Sequence, residues 1–151
     1  MKRAMNPFSL VLLLFVLATI ILIILGYSYF VNTVITEKSL IESNWGITIP
    51  NDYEEIFNKN TQSFHGDGAR YTVYNTSRQN YFTSNFTSTK DKNLEVFVSE
   101  IKLNLAVPIE YQPDLRSGYT WIEYKGDNSN SKLVMLYNPG STRLFVIQYL
   151  V

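Results

Sequence analysis

From Phe8 to Phe30 the chain carries no charged side chain, and this uncharged run constrains the protein more than any other feature. It is 23 residues long. As a helix it spans about 35 Å, against about 30 Å for the hydrocarbon core of a bilayer. Between Leu10 and Leu25 every residue except Ala18 and Thr19 is Leu, Ile, Val or Phe, which gives 14 strongly apolar side chains. That composition favours insertion by roughly 4–8 kcal/mol on the biological scale. Pro7 suits a first helical turn, where its missing N–H costs nothing. Tyr27, Tyr29 and Phe30 stand where an aromatic belt meets the headgroups. The run reads as a transmembrane helix over residues 8–30, preceded by a short cytoplasmic tail, 1–7.

The competing reading is a cleaved secretory signal. Lys2 and Arg3 supply a basic leading segment, and Gly26-Tyr27-Ser28 is a small-x-small triplet that a peptidase could cut. The apolar run is longer than the usual signal core of about 7–15 residues. The bulky Tyr29-Phe30 pair after that triplet also favours a retained anchor. Two basic residues precede the run, whereas Val31 to Trp45 holds only Lys38, beside Glu37 and Glu42. The positive-inside rule therefore places the protein in the cell membrane as a single-pass chain, N-terminus cytoplasmic and C-terminal domain outside. The span lacks ionisable groups and a G-x-x-x-G pair, so neither an ion pathway nor a helix-dimer motif is legible in it.

The remainder reads as a stalk over 31–45 and an extracytoplasmic α+β domain over 46–151. The whole chain is formally neutral, with 13 basic and 13 acidic residues, which excludes a strongly basic nucleic-acid binder. With no cysteine, the exported domain must hold together by packing alone. Gly46 to Pro50 reads as a short strand, and Asn51 or Asp52 as the cap of a short helix carrying Tyr53, Ile56 and Phe57. Ser63 to Gly68 reads as a loop, and Ala69 to Asn75 as a strand. Ser77 to Thr89 is polar and ambiguous.

Leu94, Phe97, Val98, Ile101 and Leu105 fall at helical spacing, predicting an amphipathic helix over 92–107 that Pro108 ends. Val96 and Leu103 widen its apolar face. Tyr119–Lys125, Lys132–Tyr137 and Arg143–Leu150 read as strands, separated by turn-forming segments at 126–131 and 138–142. Short connections predict an antiparallel meander with the helix packed across one face. The opposite face is then expected to be partly wet or to bind something, with Tyr119, Trp121, Tyr124, Tyr137 and Tyr149 as its aromatic surface.

His65-Gly66-Asp67-Gly68 with Arg70-Tyr71, the later helix, and the segments Ser131–Tyr137 and Arg143–Ile147 together carry a resemblance. The chain resembles small, uncharacterised, membrane-anchored or exported domains of Gram-positive bacteria. The likeness covers most of residues 46–150, and its distinctive motif is Ser63-Phe64-His65-Gly66-Asp67-Gly68. It implies fold and location and carries over no catalytic residue.

His65 is the sole histidine. Ser63, His65 and Asp67 would share a side of an extended segment, but residues two apart cannot reach opposite nitrogens of one imidazole ring as a triad requires. Asp67 in a glycine-flanked turn, or paired with Arg70, explains the motif without chemistry. One His and no Cys exclude a structural zinc site of the usual kind. A calcium loop begun at Asp127 meets Lys132 and Asn138 where Gly and Glu belong, and a dinucleotide loop begun at Gly66 meets Tyr71. Asn75-Thr76-Ser77 and Asn85-Phe86-Thr87 match the glycosylation triplet, which matters only in a eukaryotic secretory pathway.

The expectation is a membrane protein presenting an extracytoplasmic interaction domain. It has no cofactor, no metal and no catalytic set, and its candidate binding residues are His65, Asp67, Arg70, Trp121 and Tyr124. Its partners are the membrane and an envelope protein or other extracytoplasmic molecule, not nucleic acid. A membrane-tethered hydrolase using His65 and Asp67, and a small accessory subunit of an envelope complex, are the alternatives.

Overall fold

In the computed structural model, residues 7–34, 36–61, 67–76, 85–126 and 130–151 are described. The chain divides into two compact units, 1–48 and 49–151. The described residues of unit 1 form two helices. α1 (Pro7–Val34) contains a stretch of 22 residues, Phe8–Tyr29, whose most apolar 18-residue window has a mean hydropathy of 3.3, long and apolar enough to cross a membrane. Every side chain of that stretch is exposed. α2 (Glu37–Trp45) starts where the Thr36 hydroxyl accepts the Ser39 N–H, and stops at Gly46. Gly46 has φ +64°, a left-handed turn in which its N–H donates to the Glu42 carbonyl and in which a side chain would be strained. The stalk is thus helical on both sides of residue 35.

Unit 2 is α+β. Five strands, β1 (Glu54–Asn60), β2 (Gly68–Asn75), β3 (Thr120–Lys125), β4 (Lys132–Asn138) and β5 (Arg143–Leu150), form one antiparallel sheet in the order β1-β2-β5-β4-β3. The last three form the expected meander. β2 adds to its far side through a full eight-pair register with β5, from Gly68 opposite Leu150 to Asn75 opposite Arg143. Helix α3 (Lys92–Asn104) lies on one face, burying Leu94, Phe97, Val98 and Ile101 with Tyr71, Val73, Val134, Leu136, Phe145 and Ile147. Asp91 caps it, its carboxylate accepting the N–H groups of Asn93 at 2.7 Å and Leu94 at 3.2 Å.

The segment after Asp52 differs from expectation: Tyr53, Ile56 and Phe57 belong not to a helix but to β1 and its approach. The register of β1 on β2 slips between Glu55 and Phe57, a bulge that turns both Ile56 and Phe57 towards the same core. Adjacent apolar residues that share a face imitate helical spacing in sequence. Phe57 then stacks on Tyr111 at 4.5 Å between ring centres. Gly46–Pro50, read as a strand, forms no regular element. Ser77–Ser84 and the turn residues Asp127–Ser129 lie outside the described residues.

The sheet face away from α3 is not wet. Leu133, Met135, Leu144 and Val146 on it are buried, with Thr72 and Gln148. Nor do the five aromatics form one surface. Tyr119, Trp121 and Tyr149 stand on the helix side, while Tyr124 and Tyr137 alternate to the other side. Strand alternation decides this, because residues at odd separation along or across paired strands point to opposite faces.

α3 ends in two reciprocal hydrogen bonds, Ala106 N–H to the Leu103 carbonyl and Val107 N–H to the Lys102 carbonyl, with Val107 buried against the core. This is a Schellman ending whose left-handed position, φ +46°, is held by alanine and not glycine. Ala106→Gly relieves that conformation, and the side chain lost is exposed. We expect a gain of about 1 kcal/mol, read as a rise in the thermal midpoint of about 4–8 °C.

Candidate functional site

Of the residues singled out from sequence, the described ones do not converge on one site. His65, with Ser63 and Gly66, lies outside the described residues. Asp67 is exposed just ahead of β2. Arg70, three residues on, is buried within β2, at 6% exposure. Tyr124 shares the face of Arg70: the register runs Arg70, Gln148, Leu133, Tyr124 across four strands. Three interstrand steps of about 4.8 Å put these two backbones about 14 Å apart. Trp121 points to the opposite face, where its indole N–H donates to the Thr89 carbonyl at 2.8 Å and its backbone pairs with Thr87. Its polar handle holds the segment before α3 against the outer edge of β3, which is a structural duty.

The face bearing Arg70 is polar for a buried sheet surface. Thr72 Oγ1, Thr120 Oγ1 and Tyr137 Oη are buried there and have no hydrogen-bond partner among the described residues. Such groups cost about 1–3 kcal/mol each when left unmet. Burial pushes the Tyr137 phenol above its ordinary range, and neighbouring Tyr53 adds to the shift.

On the helix face, Tyr71 is the deepest ionisable group. Its hydroxyl donates to the Tyr111 carbonyl at 2.8 Å, tying the core to the turn that Arg143 also holds through the Glu110 carbonyl. Burial raises the Tyr71 phenol far above its ordinary value, and the charge of Arg143 opposes the shift only in part. Tyr119 moves the same way, chiefly by burial and then by donating to Glu95 at 3.0 Å. Because the folded value exceeds the unfolded one, the stabilisation is intact below pH ~10 and is lost as pH rises past it, where the unfolded chain releases its protons first. For Tyr71 the loss is about 1.4 kcal/mol per pH unit above that point. Alkaline titration of stability therefore shows a slope above pH ~10 that Tyr71→Phe makes shallower by about one proton. An unchanged slope in that variant contradicts the assignment.

A concavity that gathers polar side chains from both helix and sheet lies elsewhere. The second half of α3 and the far ends of β4 and β5 enclose a groove of about 530 Å³. Phe97 and Ile101 form its floor, Glu100 and Asn104 its helix lip, and Lys132 and Tyr149 its sheet lip. Lys132 and Tyr149 are direct partners across β4 and β5, and the next residue in that row is the small Ala69 on β2. Lys132 Nζ sits 3.8 Å from the centre of the Phe97 ring, and among the described residues it forms no ion pair with Glu100. The volume is in the range of small-ligand sites. Sequence reasoning named Tyr149 only as one aromatic among five and passed over Glu100, Asn104 and Lys132. The hairpin turn at 138–142 held the clue, because counting back from Asn138 opposite Arg143 pairs Lys132 with Tyr149.

Among the described residues no group of three or more His, Asp or Glu side chains is placed to hold a metal ion. No protein-family model, curated protein or solved structure matches the chain.

Proposed function

We propose that this chain is a single-pass membrane protein, with its N-terminus in the cytoplasm, whose α+β domain binds a partner outside the cell. The observation that carries the reading is α1: from Phe8 to Tyr29 every side chain is exposed, and no charge interrupts the run. Fully burying one large apolar side chain is worth about 1.5–3 kcal/mol, so 14 of them exposed to water would outweigh the stability of an ordinary domain several times over. Such a helix needs an apolar medium, and its length matches a bilayer. The excess of basic residues ahead of the helix supports the orientation. For the domain, support comes from a groove with convergent polar groups.

The test is affinity capture from crosslinked membranes. The full chain is expected to enrich at least one envelope component over a control carrying residues 1–45 alone. Equal recovery from both overturns the binding role.

A further inference from the structure

We propose that the groove between α3 and the ends of β4 and β5 takes a short zwitterionic peptide, its carboxylate on Lys132 and Lys125 and its ammonium on Glu100. The proposal rests on the reading of unit 2 as a binding domain and does not require the helix to stay in the membrane.

Three observations converge. The groove is polarised, with an acid and an amide on the helix lip, and a lysine and a phenol on the sheet lip. A ligand lying across it meets negative charge on one side and positive on the other. Glu100 and Lys132 line it without neutralising each other among the described residues, and the Lys132 ammonium rests on the Phe97 ring instead. An aromatic face attracts the cation without quenching its charge, so the ammonium remains available to an anion.

The third observation is the register of β3 on β4. Lys125, exposed and not itself part of the groove lining, stands directly opposite Lys132 on the same face, so its ammonium lies beside the sheet lip. Like charges directly opposite in an antiparallel pair repel, so this arrangement is destabilising in the empty protein. A carboxylate placed between the two ammonium groups reverses the sign of that interaction. The Tyr149 hydroxyl, at the next position of the row, can donate to the same anion. Phe97 and Ile101 on the floor offer an apolar side chain somewhere to lie, and the Asn104 amide can both donate to and accept from a peptide group. A plain anion would leave Glu100 opposing it, and a plain cation would face two lysines. A ligand with both charges satisfies both lips.

The experiment is an NMR titration of the full chain in detergent micelles with the dipeptide Ala-Leu, its N-acetylated form and its C-terminal amide. Ala-Leu is expected to saturate below about 10 mM, with amide shifts confined to the second half of α3 and the ends of β4 and β5. Blocking either terminus should weaken binding about tenfold, the scale of one charge-assisted hydrogen bond. Glu100→Gln should abolish the difference between Ala-Leu and the acetylated form while keeping the penalty of the amide. The pair Lys125→Gln and Lys132→Gln should do the reverse. Equal affinity for all three peptides, shifts mapping elsewhere, or no saturation overturns the proposal. Any of these would leave the membrane anchor untouched, since that is decided by sidedness and not by titration.

Discussion

Replacing Leu14, Leu17 and Ile21 with arginine is expected to remove the protein from the membrane fraction almost completely. Each substitution deletes an apolar side chain and adds a guanidinium near the middle of the 22-residue apolar stretch. On the insertion scale each change costs about 3 kcal/mol, so three exceed the roughly 4–8 kcal/mol that favours insertion of the natural sequence. The same three positions changed to alanine remove apolar area without adding charge, and most of the protein should stay in the membrane. The measurement is the fraction that pellets with membranes after an alkaline carbonate wash. If the arginine variant pellets as fully as the natural chain, something other than α1 holds the protein there.

Phe145→Ala should be the most damaging single change in the folded domain. Phe145 is 1% exposed on β5, the central strand, where it is flanked by Val73 of β2 and Leu136 of β4 and lies beneath α3. Truncating a buried phenylalanine costs about 3–5 kcal/mol, since the transfer energy is lost and a cavity remains. Domains of this size have about 5–15 kcal/mol to lose. The thermal midpoint should fall by at least about 12 °C. The partner change Leu103→Ala, on the opposite side of α3 at 80% exposure, should move it little. Comparable shifts in both variants would contradict the placement of α3.

Much of this architecture is legible in the sequence because burial writes itself as periodicity. Leu94, Phe97, Val98 and Ile101 form the buried stripe of α3, and the limits of β5 coincide with the run Arg143–Leu150. What stays hidden depends on pairing. The bulge at Ile56 makes an edge strand look helical, and nothing local in residues 53–57 reveals it. Among the candidate residues, Arg70 comes from the glycine-flanked motif and Trp121 and Tyr124 from the aromatic strands, yet strand alternation sends Trp121 to one face and Arg70 and Tyr124 to the opposite one. The groove is half legible: hairpin counting joins Lys132 to Tyr149, but that Phe97, Glu100 and Asn104 overhang this row follows from where α3 lies across the sheet. A helix's position on a sheet is a property of the assembled core, which no single segment encodes.

The central claim is that the apolar helix remains in the bilayer and holds the α+β domain at the outer surface. Protease treatment of intact cells, followed by the mass of the membrane-extracted product, tests it in one step. The account predicts that untreated cells yield the uncleaved chain, and that protease removes the domain and leaves a membrane-embedded fragment containing residues 1–34. A mature product that begins after Gly26, or a domain that becomes protease-sensitive only once the cells are broken open, would contradict it.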